Sequence, residues 1–274
     1  VGRVLVVEDN PVNLAVVRKL LQRMGVVCDA ATDGVEAIRA VKSAQYDLVF
    51  MDIQMPNMDG YQATREMRER EHRRGLARTP IVAMTANAMA GDRERCLDAG
   101  MDDYMSKPIR PPDLRAMLRQ WLPMQEVLVR EGRSAEALHP PPLSVTTVPE
   151  TEPPLPGAAH SCLDEAVLGE LFEIMESEAA ALLQGYLDSA PALLGRIDQA
   201  LGRDDSEEVA RAAHSLKSSS ANVGAMAVSA LAKRLEFIGR GGRLGEAGPC
   251  WQEMRAAYDM AEKGLRRVIA DAAP

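Results

Sequence analysis

The sequence predicts an α/β doubly wound, five-stranded parallel sheet followed by an all-α region. Three observations carry that expectation. Within the first 122 residues, short apolar runs alternate five times with amphipathic segments, the pattern of parallel strands joined by right-handed helical crossovers. The runs fill consecutive positions instead of alternate ones, as in Leu48-Val49-Phe50-Met51, so both faces of the sheet should be covered. From Cys162 onward such runs disappear and only long amphipathic segments remain, as in an antiparallel helix bundle.

Residues 3–7 form the first expected strand, ending in Glu8-Asp9. Asn10-Pro11 then suits an N-cap followed by a first-turn proline. Leu14, Val17, Leu21 and Met24 recur at helical spacing, and Gly25 closes that helix. A strand over 26–31 and a helix over 34–42 come next. Residues 47–51 are the third strand, with Asp52 at its carboxyl end, and a helix runs over about 59–74. The basic residues of its last turns alternate with Glu66, Glu69 and Glu71 and read as a solvated helix end. Residues 80–84 give the fourth strand, ending in Thr85-Ala86, before a helix over about 90–99. Residues 103–105 give the fifth, ending in Ser106-Lys107-Pro108, before a helix over about 112–120.

Glu8, Asp9, Asp52, Thr85 and Lys107 each arrive just after the last apolar residue of a strand. In an open parallel sheet, that carboxyl edge is where ligands collect. Asp52 alone could be a metal ligand, a nucleophile or a helix cap. Three carboxylates together repel unless a cation sits among them, and hard oxygen ligands suit Mg²⁺. A lysine and a hydroxyl beside them can neutralise an incoming phosphoryl group. The constellation points to a Mg²⁺-dependent phosphoryl site with Asp52 as candidate nucleophile.

Between 123 and 161 the pattern stops. Pro140, Pro141, Pro142, Pro149, Pro153, Pro154 and Pro156 crowd this stretch, which reads as a semi-rigid extended linker with a short helix over 126–138. Helices are then expected over 164–175, over 176–201 with a kink at Pro191, and over 206–222, 226–239 and 246–269. On the helix over 206–222, an advance of about 100° per residue puts Val209, Ala213, Leu216 and Ser220 on one core-facing stripe. His214 falls away from that stripe, beside Lys217, Ser218 and Ala221, and is expected to be exposed. A solvent-facing imidazole is mostly neutral near pH 7 and available as a nucleophile; Lys217, one turn on, could meet a phosphoryl group placed on it.

Residues 3 to about 122 resemble a response-regulator receiver domain of flavodoxin-like fold. Glu8-Asp9, Asp52, the Met55-Pro56-Asn57-Met58-Asp59-Gly60 loop, Thr85-Ala86 and Lys107-Pro108 carry the resemblance. It implies that Asp52 is the phosphoacceptor and that Glu8, Asp9, Asp52 and the Gln54 carbonyl hold Mg²⁺. It further implies that Thr85 and Lys107 bind phosphoryl oxygens, that Thr85 and Tyr104 act as a switch, and that the bond before Pro108 is cis. The stretch from Arg70 to Arg78 is long for a receiver connection, so an extended helix or loop is expected there. Residues 162 to about 270 resemble a histidine phosphotransfer domain, a four-helix bundle carrying phosphate on one histidine. The matching run is His214-Ser215-Leu216-Lys217-Ser218-Ser219-Ser220-Ala221-Asn222-Val223-Gly224, and Ser218 stands where the family commonly has glycine. The implied division is a receiver over 1–122, a linker over 123–161 and a phosphotransfer domain over 162–274.

That order resembles the C-terminal part of a bacterial tripartite hybrid sensor histidine kinase. Phosphate would pass from an upstream kinase core, on the same polypeptide or a dimer partner, to Asp52, then His214, then a separate response regulator, reversibly. No ATP-binding motif is present, so this stretch is expected not to use ATP by itself although it is part of a phosphotransferase. The net charge of −8 lacks the basic patch that nucleic-acid binding needs. No apolar run reaches the roughly 18 residues a membrane helix requires. The four scattered cysteines read as reduced thiols. The expected place is the cytoplasm, with any inner-membrane anchor outside this stretch; the opening on Val1 suggests a piece of a longer protein. Two other readings stay open: a Mg²⁺-dependent phosphatase of small phosphoesters, disfavoured because Ile53-Gln54 lacks its second aspartate, and a non-catalytic signalling adaptor.

Overall fold

The computed structural model describes residues 2–85, 90–122 and 163–272. The proline-rich linker, the short helix expected at 126–138, Ala86 and Cys162 lie outside the described residues. Five parallel strands form one sheet: β1 (Arg3–Val7), β2 (Val27–Ala31), β3 (Leu48–Asp52), β4 (Ile81–Thr85) and β5 (Asp103–Ser106), in the order β2-β1-β3-β4-β5. The central strands are apolar at consecutive positions because each face has its own core. Val4, Val6, Leu48 and Phe50 pack on one side, and Leu5, Val7, Val49 and Met51 on the other. The helices between strands are α1 (Pro11–Arg23), α2 (Gly34–Ser43), α3 (Gly60–Arg74) and α4 (Ala90–Asp98), with α5 (Pro111–Trp121) after β5.

Capping places these helices as the sequence suggests. Asn10 Oδ1 accepts from the backbone N–H groups of Val12 and Asn13 to open α1, and Asp59 Oδ1 accepts from Gln62 N to open α3. The long connection expected between Arg70 and Arg78 is an extended α3 that stops at Gly75, whose φ of 60° is the left-handed cap that glycine adopts without strain.

The second half is helical among the described residues: α6 (Glu165–Met175), a short 3₁₀ turn, α7 (Ala179–Gly202), α8 (Ser206–Asn222), α9 (Met226–Arg240) and, after a second 3₁₀ turn, α10 (Ala247–Asp271). Helix α7 continues through Pro191 as one helix. The expected core stripe of α8 holds, with Val209, Ala213, Leu216 and Ser220 fully buried. At Gly239 a Cβ would lie 2.8 Å from both Ala210 N and Ser206 O, so glycine lets α9 lie closely against α8.

The two halves are docked through α1. Its Val12, Val16, Val17, Leu20 and Leu21 are buried in an apolar cluster that runs from one sheet face into the bundle. This broad apolar face is wider than the Leu14–Val17–Leu21–Met24 stripe, because α1 is covered on one side by the sheet and on the other by α6, α7 and α8. At the rim, Lys19 Nζ pairs with Glu178 Oε1 at 2.5 Å, and the Arg23 guanidinium donates to the carbonyls of Glu173 and Ile174 at the end of α6.

Candidate functional site: an acidic sheet edge facing a buried histidine

The strand order reverses between β1 and β3, which sit side by side, and the crevice at such a reversal is where open α/β sheets bind ligands. Glu8 and Asp9 leave β1 there and Asp52 ends β3. One oxygen from each of these three carboxylates lies within 4.8 Å of the others. Lys107 Nζ, entering after β5 across a cis Lys107–Pro108 bond, pairs with Glu8 Oε2 at 2.5 Å and Asp52 Oδ2 at 2.7 Å. Thr85 is buried at the end of β4, and its carbonyl accepts from Lys107 N. Gln54 N donates to Asp52 Oδ1 at 3.3 Å. Tyr104, on β5, is partly buried against the core of the far sheet face. Burial, reinforced by Glu8, pushes the Asp9 carboxyl up to about 6, and burial likewise pushes Asp52 up. Burial works against the Lys107 ammonium, but Asp52 and Glu8 more than offset it and hold the lysine charged.

One buried lysine against three clustered acids leaves negative charge uncompensated, and the donors are all hard oxygens. This donor set fits a divalent cation such as Mg²⁺.

Across the domain contact, His214 is 4% exposed. The expectation of a solvent-facing imidazole is therefore corrected. Helix α1 is docked against this stretch of α8: Asn10 Nδ2 donates to Ser215 O at 3.3 Å and Asn13 Nδ2 donates to Ser218 Oγ at 3.0 Å. Asn13 Nδ2 also donates to Glu8 Oε1 at 2.9 Å, so the face of α8 that carries Ser218, one turn after His214, is held beside the acidic edge. His214 Nδ1 is 2.9 Å from Glu236 Oε1 on α9. Burial raises Glu236, but the His214 bond together with Lys217 and Arg240 keeps its carboxyl well below the usual range. An ionised carboxylate only accepts, so Nδ1 carries the proton and Nε2 carries the lone pair. Nε2 is buried with no hydrogen-bond partner among the described residues, and burial holds the imidazole below its ordinary value of 6.5, hence neutral. Lys217 Nζ is 2.5 Å from Glu236 Oε2, so its cation is committed to Glu236 instead of standing free beside the histidine.

Residues 4–119 match the response regulator receiver domain family and residues 181–264 match the Hpt domain family. This chain is a receiver domain followed by an Hpt domain. The chain is similar to the sensor protein GacS of Pseudomonas syringae pv. syringae, 47% identical over 119 residues that make up 43% of this chain and 13% of that protein. It is also similar to hybrid signal transduction histidine kinase L of Dictyostelium discoideum, 42% identical over 44% of this chain and 7% of that protein. The chain thus spans a small fraction of the curated relatives it matches. Among solved structures, the receiver domain of a Pseudomonas aeruginosa PAO1 sensor histidine kinase, described with magnesium in its active-site cleft, is 45% identical (44% of this chain, 96% of that chain, TM-score 0.40). A Saccharomyces cerevisiae complex of a histidine phosphotransfer signaling protein with the receiver of its downstream response regulator is 31% identical (44% and 88%, TM-score 0.43).

Two residues have roles that the sequence pattern does not mark. Glu236 is a buried acid on α9 among buried apolar positions such as Leu231 and Leu235, and that placement is the one available signal. Asn13 lies one turn after the Asn10 cap, where no periodicity argument singles it out.

Proposed function

We propose that this chain is a two-component phosphorelay module in which Asp52 passes a phosphoryl group to Nε2 of His214 in the docked arrangement. The observation that carries this reading is the state of His214: neutral, oriented through Nδ1 by Glu236, with a buried, unpartnered Nε2 on the helix that Asn13 ties to Glu8 of the acidic edge. In the transfer, the Nε2 lone pair forms the new N–P bond while the P–O bond to Asp52 breaks and its electron pair returns to the carboxylate. No proton need move. Positive charge develops on the ring, where the Nδ1–H bond to Glu236 stabilises it. Lys107, already paired with Asp52, neutralises the phosphoryl oxygens and the released carboxylate, and the Thr85 hydroxyl is a second phosphoryl contact. Glu8, Asp9, Asp52 and the Gln54 carbonyl would hold Mg²⁺, which supplies charge neutralisation at the phosphoryl group when bound. Lys217 serves by keeping Glu236 ionised, and Thr85 with Tyr104 forms the receiver's switch.

The order of the two matched families and the similarity to sensor and hybrid histidine kinases support placing this chain in a bacterial tripartite hybrid kinase, with the receiver over 1–122, the linker over 123–161 and the Hpt domain over 162–274. An upstream kinase phosphohistidine then loads Asp52, and a separate response regulator unloads His214. Because docking buries His214, the regulator reaches it only after this receiver withdraws. The test is labelling with acetyl phosphate and Mg²⁺ in the wild type, Asp52→Asn and His214→Gln, locating phosphate by intact mass and alkali stability. Alkali-stable label that needs both residues is expected; alkali-stable label persisting in Asp52→Asn would overturn the route.

A further inference from the structure

Asn13 lies on the receiver's α1 and is 4% exposed. Its amide is used almost completely. Nδ2 donates to Glu8 Oε1 at 2.9 Å and to Ser218 Oγ at 3.0 Å, while Oδ1 accepts from Asn222 Nδ2 at 2.8 Å. Two donors and one acceptor position are thereby filled. Ser218 and Asn222 are four residues apart on α8, hence on one helical face, and Ser218 is itself one turn after His214. Ser218 Oγ lies 3.3 Å from the carbonyls of His214 and Ser215, either of which can accept its proton, so the hydroxyl presents its lone pairs to Asn13. Asn10 adds a bond to a backbone carbonyl, which any sequence on α8 would offer.

We infer that Asn13 is a positioning and specificity residue for the phosphotransfer: it reads a hydroxyl at 218 and an amide at 222 on the histidine helix, and ties that helix to Glu8 of the receiver's acidic cluster. The physical basis is the cost of an unmet polar group. A histidine helix with an apolar residue at either position would leave one end of a buried amide unpaired, which penalises the wrong partner more than the correct contact rewards the right one. Position 218 therefore acts as more than a small spacer. The link to Glu8 places the same amide in contact with both halves of the reaction, so correct seating of α8 and the orientation of an acid at the phosphoryl site are read by one side chain.

This inference rests on the Asp52-to-His214 reading, and its test separates the two. Full chains carrying Ser218→Ala, Asn222→Ala, Asn13→Ala and the two pairwise combinations with Asn13→Ala are loaded with acetyl phosphate and Mg²⁺. The transfer constant is the initial rate of phosphohistidine formation divided by the phospho-Asp52 present. Ser218→Ala and Asn222→Ala should each lower it about 2- to 10-fold, the range of one lost hydrogen bond, with the rate of Asp52 loading held within about twofold. In the Asn13→Ala background, where the reader is gone, neither further change should lower transfer again. A purely structural role would not give this non-additivity at constant loading. Undiminished transfer in both single Hpt variants, or losses that multiply in the combinations, would overturn the inference while leaving the phosphotransfer intact. No transfer in the wild-type chain would overturn both.

Discussion

Replacing Glu236 by glutamine removes one charge and almost no volume. The carboxylate accepts from His214 Nδ1 at 2.9 Å, Lys217 Nζ at 2.5 Å and Arg240 Nη2 at 2.5 Å. As Nε2 becomes phosphorylated the ring turns cationic, and a charge-assisted bond at Nδ1 becomes a neutral one in the variant. That difference is about 1–2 kcal/mol, or about 5- to 30-fold in the transfer constant. The acid limb of the pH profile should move as well. Glu236 raises the His214 value against the lowering effect of burial, so without it the midpoint shifts further to acid while the plateau falls. Few structural defects would give that pair of changes. The variant also leaves Lys217, 13% exposed, without its partner, so Tm should drop by several degrees, and the measurement belongs at a temperature where far-UV circular dichroism shows the chain folded. The assay is rapid-quench separation of phospho-Asp52 and phosphohistidine after acetyl phosphate loading. An unchanged transfer constant in folded Glu236→Gln would refute the assignment of Nδ1 as the oriented, charge-bearing nitrogen.

Three further outcomes follow from the same geometry. At Gly60 a Cβ would sit 2.2 Å from Asp52 O, so Gly60→Ala should destabilise the receiver by about 1–3 kcal/mol in a urea titration and slow Asp52 loading by displacing the loop. The Lys19–Glu178 pair lies at the docking rim, with side-chain exposures of 14% and 59%; Lys19→Glu should lower the transfer constant about two- to fivefold at low salt, and adding Glu178→Lys should restore it. For pH, the folded His214 value is depressed below 6.5 by burial, so the unfolded chain binds its proton first. The stability penalty is absent above about 6.5 and grows as pH falls towards the folded value, and the difference in Tm between wild type and His214→Gln should narrow over that window.

Local physics made most of the architecture legible. The runs 3–7, 47–51 and 80–84 were readable because a strand buried on both faces has no polar positions to blur it, and each boundary was displaced by at most one residue. Helix α8 was bounded by an acidic cap and a glycine beyond its end, and its range of Ser206–Asn222 is the one expected. The placement of Glu8, Asp9, Asp52, Thr85 and Lys107 at the sheet's carboxyl edge was legible for the same reason, since the end of a parallel strand fixes where a side chain must stand. The state of His214 was not legible. Helical periodicity describes one helix in isolation, whereas α8 is packed against α9, whose Glu236 bonds the imidazole, and against α1, whose Asn13 is 205 positions from Ser218 in sequence. Helix α7 runs through Pro191 in keeping with the expected range of 176–201, and it packs on α8 and α10.

The most direct measurement is the identity of the phosphorylated nitrogen. With ¹⁵N in the imidazole and ³¹P detection, one-bond coupling distinguishes Nε2 from Nδ1 in the chain loaded through Asp52. Phosphate on Nε2 of His214, absent from Asp52→Asn, is the expected result, because Glu236 occupies Nδ1 and leaves Nε2 without a partner among the described residues. Phosphate on Nδ1, or phosphate that stays on Asp52 in the wild type, would contradict the account.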